Sequence, residues 1–515
     1  MIRIWDKDSL KIRRCLSCIV FLLILGQIFI WITYLFRNPN ISDRTRLIGI
    51  KEEQQLDIIN IGSSDAFTSW QPLKAWNDCG FTSYSYATNS MPPESIMYYI
   101  KEVLKSQKPQ LFIVSVRSFP FWDGVMNEGG IRRGIDSMDL SWNRLCLADY
   151  YLSNCVDWGG VDRLSFYIDV IKYHANHDAL KNSENWECID NIRMCPNKGW
   201  EWMQGHRIVS EPTDFETSEK ANLPDGTQKV LYDMLNFCTQ EKIEVLFTVS
   251  PYVITLEDQM MYNSIQEVTE QYGFRFLNAN EYYEDMRIDF SVDFTDINHV
   301  NCFGAEKYTD FLEKYIKAHY DVSDHRKDKA YESWNEEFLS YSEEERHIKK
   351  AIYKQIERKK EGAELGVVLS KTTDIWQWSS LLNNPNYTII CAEKGCFEVK
   401  DLLSDKIIQN IGLSEQALLG KEHEFVGIIK DLELFYSNVG TEEEYFVGTI
   451  GDNGNGWNAK LEIGLNVKGS IMIDDLEYGK QQNGLNIIVF DHNYNCVVDS
   501  VVLTYDTSGK LQLVR

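Results

Sequence analysis

The sequence predicts an α/β fold: a parallel sheet covered by helices on both faces, with one membrane-spanning helix before it and a β-rich domain after it. Three observations carry the prediction. Between about residues 56 and 320, short apolar runs alternate with segments of helical period. From Cys15 to Phe36 the chain carries no charge. From 484 to 514, "GLNIIVFDHNYNCVVDSVVLTYDTSGKLQLV" reads as three Val/Ile/Leu-rich strands separated by polar turns. The chain has 515 residues, is 44% hydrophobic and holds 27 Tyr, 24 Phe and 14 Trp, enough for two or three packed domains.

Residues 1–15 form a short tail and 16–36 the span, whose helix at 1.5 Å per residue is roughly 30 Å long, one bilayer core. Trp31, Tyr34 and Phe36 sit at its far end, where aromatic rings favour the interface. Lys7, Lys11, Arg13 and Arg14 precede it, and Arg37, Arg44, Arg46 and Lys51 follow. This modest bias places the N-terminus in the cytoplasm and the large domain outside, a single-pass protein of the cell membrane. A cleaved signal peptide is the competing reading, but no A-x-A-like site follows the apolar core. Residues 37–55 read as a polar stem.

The α/β domain spans 56–320. "LDIINIG" is its first strand, and "PPESIMYYIKEVLKSQ" a helix opened by Pro92 and Pro93. "PQLFIVSV" is a strand apolar enough to be buried on both faces. "DGTQKVLYDMLNFCTQEK", "IEVLFTVSP", "LEDQMMYNSIQEVTEQYG" and "FRFLNA" continue the alternation. From about 120 to 220 the rhythm breaks. Trp122, Trp142, Trp158, Trp186, Trp200 and Trp202 fall in this insertion, placed either to stack on sugar faces at the ligand-binding edge or to fill a small core of their own. Residues 321–364 form a charged helical linker and 365–515 the β-rich domain.

A formal charge of −25 repels phosphate backbones and argues against nucleic acid as a partner. No C-x-x-C pair follows the span, so a zinc ribbon is unsupported. Cys188 and Cys195, or Cys391 and Cys396, are close enough for local disulfides, and equally all are buried thiols.

The chemistry concentrates in two places. "GSS" (62–64) ends the first strand, and a serine there becomes a nucleophile only if a base takes its proton. The base is normally His, oriented by a carboxylate. "DFTDINHVNCFGAEKYTDFLEKYI" supplies both: Asp296 and His299 are three residues apart, so one turn of chain folds the carboxylate onto the imidazole. The residues themselves do not choose between Ser63 and Ser64. Alternatively, "GSS" is an ordinary loop and Asp296 or Asn298 an N-cap. Asp65 reads as a turn residue, His174 and His177 as an exposed helical pair rather than metal ligands, and His206 as a residue lining the cleft. The chemistry needs no metal and no cofactor.

"GSS" after the first strand and D-x-x-H before the last helix resemble the first and last blocks of the SGNH (GDSL-type) hydrolases. The resemblance covers about 56–320 and implies a flavodoxin-like three-layer domain. It puts Gly62, Ser63 and Ser64 on that family's Gly-Asp-Ser. It thus nominates Ser64 as nucleophile, His299 as general base and acid, and Asp296 as orienting carboxylate. Gly-Ser-Ser and "HVNCFGAEKYTDFL" are also similar to the membrane-anchored accessory proteins of teichoic-acid D-alanylation and exopolysaccharide O-acetylation. The middle blocks depart from the family. "YATNSMPP" (86–93) lacks the oxyanion Gly, leaving Asn89 or Ser90 to substitute, and "SVRSFPF" (115–121) lacks the Asn, leaving Arg117. Losing one oxyanion donor costs about two to three powers of ten in rate. The C-terminal "SIMIDDLEYGKQQNGLNIIVFDHNYNCVVDSVVLTYDT" resembles interleukin-like EMT-inducer domains, which implies a β-sandwich-like module for carbohydrate recognition or positioning.

The expectation is an extracytoplasmic serine O-acyl esterase or acyltransferase. Its substrate would be a cell-surface glycan, and a membrane-bound acyltransferase is the partner the resemblance admits. The alternative is a non-catalytic glycan-binding or assembly protein with a hydrolase-like fold, favoured by the missing donors. A glycosidase would need two carboxylates about 5–10 Å apart, and the sequence nominates no such pair.

Overall fold

Strands β1 (Ile58–Ile61), β2 (Ser83–Ser85), β3 (Leu111–Ser115), β4 (Val245–Val249) and β5 (Arg275–Asn278) form one parallel sheet in the order β2-β1-β3-β4-β5. Every residue of β1 to β4 is buried, so helices must cover both faces, which is why the strands read as near-continuous apolar runs. Ile58 pairs with Ser83 on one side and Leu111 on the other, which puts the crossover of the chain between β1 and β3. This is the doubly wound order whose ligand crevice lies at the carboxyl ends of those two strands. In this computed structural model the described residues are 3–37, 41–120, 128–154, 162–187, 189–190, 194–395, 397–414, 424–430, 433–440, 445–450, 459–464, 469–474 and 476–515.

The helices form where period and caps ask for them. Pro93–Val103 starts on a proline, and its Ile96, Tyr99, Ile100 and Val103 are buried. Leu256–Gln271 opens on a capping box of Thr255 and Asp258. Asp225–Glu241 buries Val230, Leu231, Met234, Leu235 and Cys238 at the same period. Strand β2, "SYS", has no apolar pattern of its own. Its burial comes from its place beside β1.

The N-terminal helix Arg3–Phe36 includes a stretch, Ile12–Phe36, long and apolar enough to cross a membrane. Its side chains are exposed from Ile12 to Phe29, and Thr33, Tyr34 and Leu35 are buried. There, Trp31 Nε1 donates to Asp190 at 3.0 Å, and the Arg37 guanidinium meets Asp169 at 2.5 Å. The following residues, expected to be a polar stem, form a helix (Ile41–Gly49) that is buried from Asp43 onward. Their charges are satisfied inside. Arg44 donates to Tyr34 O at 2.6 Å, and Arg46 pairs with Asp43 at 2.8 Å and lies 3.7 Å from the Phe67 ring centre.

Two compact units result. One comprises Met1–Met203, Pro212–Ile288 and Gly304–Glu344; the other Gln204–Glu211, Asp289–Phe303 and Glu345–Arg515. The linker helix extends over Glu332–Lys371. Some of its sparse apolar positions are buried, Trp334 and Tyr341 in the first unit and Ile348 and Ile352 in the second, while Leu339 and Val368 are exposed.

In the second unit, β6 (Phe294–Asp296) and β7 (His299–Val300) make a hairpin. Strands β8 (Tyr387–Lys394), β9 (Glu424–Lys430), β10 (Glu433–Gly440), β11 (Tyr445–Ile450), β12 (Ala459–Gly464), β13 (Ile471–Ile473), β14 (Leu476–Glu477), β15 (Gly484–Asp491), β16 (Cys496–Tyr505) and β17 (Leu511–Val514) build two antiparallel sheets. The larger runs β10-β9-β8-β15-β16-β17, the smaller β11-β12-β13-β14. The period of two sorts their residues cleanly. Ile389 and Cys391 of β8, with Leu485, Ile487 and Val489 of β15, pack on the helix side with Trp378, Ile407 and Ile408. Ile390, Ala392, Ile488 and Phe490 pack on the other face against Leu461, Ile463 and Ile471 of the smaller sheet. The β-sandwich-like expectation therefore acquires a helical layer.

Candidate active site

Gly62 sits where β1 ends. A Cβ there would lie 2.7 Å from Ser115 Cβ and 2.8 Å from Ala66 Cβ, so only glycine lets the end of β3 approach this closely. Ser63 follows in extended backbone and Ser64 begins a short helix, Ser64–Ser69. The Ser63 hydroxyl accepts the Met91 N–H at 3.3 Å, whereas Ser64 is half-buried and its carbonyl accepts Thr68 Oγ1 at 2.8 Å.

The next residue, Asp65, is no mere turn residue. It is buried, and its Oδ2 accepts from Ser115 Oγ at 2.5 Å and Ser250 Oγ at 3.3 Å. One carboxylate thus ties the residue after β1 to the ends of β3 and β4. The signal was present in the sequence as three strand runs each ending in serine: "IGSS", "IVSV" and "TVSP". Arg117, two residues past Ser115, is buried with its guanidinium 4.0 Å from the Tyr252 ring centre. Asn89 points both its backbone and side-chain N–H at Asp43 Oδ1, at 3.1 and 3.3 Å. Ser90 is exposed at φ +52°.

Asp296 and His299 belong to the other unit and are brought together there. They are paired residues of the β6–β7 hairpin, with His299 Nδ1 at 3.1 and 3.2 Å from the two Asp296 oxygens. The Asn298 N–H also reaches Asp296, at 2.7 Å. Burial pushes the Asp296 carboxyl up, but the His299 hydrogen bond and charge, the Asn298 N–H and the Arg207 charge outweigh it and hold it below the usual carboxylate range. A carboxylate against Nδ1 fixes the neutral ring with its proton on that nitrogen, so Nε2 is the nitrogen that takes up a proton.

Asn301 holds the hairpin in place. It is fully buried; its amide donates to Val292 O at 2.6 Å and Phe294 O at 3.3 Å, and its Oδ1 accepts the Phe303 N–H at 3.0 Å. This joins the hairpin to the first turn of the helix Cys302–His319 and gives the Asn of "HVN" a structural role. Arg207 N–H adds a bond to Phe294 O at 2.9 Å.

Other expected features fall outside the chemistry. His174 is exposed, with Nδ1 2.9 Å from Ile171 O. Trp142 and Trp186 are exposed, while Trp200 is buried with its ring centre 4.0 Å from that of Trp202. Trp122, Trp158, Cys188 and Cys396 lie outside the described residues. Cys195 and Cys391 are buried thiols. Asp78, Asp310 and Glu313 bring carboxylate oxygens within 4.8 Å of one another, and the Lys74 ammonium sits 2.5 Å from Asp78 and 2.6 Å from Asp310, a cation already in place.

No protein-family model matches the sequence, and comparison with curated proteins finds no significant match.

Proposed function

We propose that this protein is a serine O-acyl esterase or acyltransferase of SGNH type. It would be anchored by its N-terminal span with both compact units outside the cytoplasm, and would act on a cell-surface glycan. The observation that carries this reading is the Asp296 carboxylate held against Nδ1 of His299, an arrangement that prepares the ring as a base. Ser64 adds to it by its place after β1, beside the switch point where doubly wound sheets bind ligands.

In the proposed reaction Ser64 Oγ attacks the acyl carbonyl carbon while His299 Nε2 takes the hydroxyl proton. The C–O bond to the sugar then breaks, and the same proton goes to the departing sugar oxygen. Water or a second sugar hydroxyl attacks the acyl-enzyme, giving its proton to Nε2, and Ser64 Oγ leaves with that proton. Asp296 stabilises the imidazolium at each stage. The C-terminal β-rich domain would hold the glycan.

The alternative, a glycan-binding protein without catalysis, is favoured by one observation: the backbone N–H of Asn89 and its side-chain amide both donate to Asp43. Hydrolysis of p-nitrophenyl acetate by the detergent-solubilised full chain separates the two. Ser64→Ala and Asp296→Asn should each lower the rate by about a thousandfold or more. A Ser64→Ala rate equal to that of the parent would refute the enzymatic reading.

A further inference from the structure

Within the second unit lies a cavity of about 380 Å³, in the size range of small-molecule sites. Much of its wall is apolar, with Ile356, Ile473, Tyr478 and Phe490 among its residues. Its polar groups come from separate stretches: His206, Ser291, Lys359 and Lys360 of the long helix, Asp474 after β13, and Asn495 in the turn between β15 and β16.

Two of these carry buried acceptors with no partner among the described residues. His206 is 4% exposed, and its Nε2 lies 2.8 Å from the Ser291 carbonyl. A carbonyl only accepts, so Nε2 bears the proton and Nδ1 is a bare lone pair; among the described residues no hydrogen-bond partner meets it. Burial, with the Lys359 charge acting in the same direction, pulls the His206 pKa down to about 4, which keeps the ring neutral at neutral pH. Asn495 Oδ1 is likewise buried without a partner. Nearby, Lys359 Nζ donates to His206 O at 2.9 Å and lies 4.0 Å from Asp474 Oδ2, and an ammonium has three N–H groups to give.

This set selects its occupant. A carboxylate or a fully ionised phosphate ester group has no hydrogen to offer His206 Nδ1 or Asn495 Oδ1 and would leave both orphaned. A purely apolar ligand fails for the same reason. The fit is a ring with an apolar face, at least two hydroxyl donors, and an oxygen for Lys359. We propose that this cavity binds a neutral sugar ring, with hydroxyls donating to His206 Nδ1 and Asn495 Oδ1. The proposal is independent of the Ser64 chemistry, so Ser64→Ala should bind as the parent does.

The test is calorimetric titration and saturation-transfer NMR on the detergent-solubilised full chain. Methyl β-D-glucoside and N-acetylglucosamine are the sugar probes. Chitotetraose distinguishes a chain end from a free sugar, and tetrahydropyran is the same ring without hydroxyls. Asn495→Gly removes one acceptor at φ +54°, a backbone glycine adopts freely. His206→Gln retains a donor for Ser291 O. At least one sugar should bind, tetrahydropyran should not, and each variant should weaken binding about tenfold with unchanged parental folding in the absence of ligand near neutral pH. The proposal is overturned if no sugar binds at millimolar concentration, if tetrahydropyran binds as well as the sugars, or if both variants bind as tightly as the parent.

Discussion

His206 should make the second unit sensitive to acid, and the size of the effect follows from its surroundings. The ring is buried, with Lys359 and Lys360 on the facing helix and Asp289 and Asp474 as the nearby carboxylates. Burial acts first and Lys359 second, lowering the pKa from the ordinary 6.5 to about 4. Above pH 6.5 the ring is neutral whether the chain is folded or not. As pH falls, the unfolded chain takes a proton that the buried ring refuses until about pH 4. Stability is therefore lost as pH falls from 6.5 through about 4. At about 1.4 kcal/mol for each tenfold in proton affinity, the full loss is about 3 kcal/mol. For a unit of this size that is about 10 °C in Tm. His206→Gln removes the titration while keeping a donor for Ser291 O. Scanning calorimetry from about pH 7 to about pH 4 should show the variant's transition falling less than the parent's by that amount. Parallel curves for parent and variant would refute the reasoning, because they would mean that the folded ring protonates as easily as the unfolded one.

Glu313 predicts the opposite slope in the first unit. Burial raises its carboxyl to about 7, and Cys79 Sγ donates to it at 3.1 Å. Its protonated form is favoured in the fold, so this contribution is fully present below 4.5 and is lost as pH rises through about 7. Glu313→Gln should be more stable than the parent at about pH 8, by up to about 3 kcal/mol in urea unfolding. A variant less stable than the parent at that pH would contradict this. Gly62→Ala should cost about 1–3 kcal/mol by forcing apart the ends of β1 and β3, since its Cβ would stand 2.7 Å from Ser115 Cβ. An unchanged Tm would show that the close approach is not required.

The elements legible in the sequence are those whose signal is local. The strand runs "DIINI", "LFIVS" and "VLFTV" are buried as their composition asks, and the helices beginning at Pro93, Asp225 and Leu256 follow their apolar period. The meeting of Asp296 with His299 was legible for the same reason: three residues of one hairpin bring them together. β2 was not, because three residues reading Ser-Tyr-Ser carry no period and owe their burial to β1. Nor was the burial of Arg37, Arg44 and Arg46, which in sequence are flanking charges of a span and in the fold are paired groups inside.

What the sequence by itself determined is the class of each segment: an apolar stretch long enough to cross a membrane, an alternating α/β stretch, a β-rich end and a turn that brings a carboxylate to an imidazole. Period, charge and turn chemistry act over a few residues, and those distances are written in the chain. Only the tertiary structure decided that Asp65 bonds to serines 50 and 185 positions away, and that His206, Lys359 and Asn495 wall one cavity. Such groups meet because packed layers bring distant segments together, and a buried polar atom reveals its need for a partner only once its neighbours are in place.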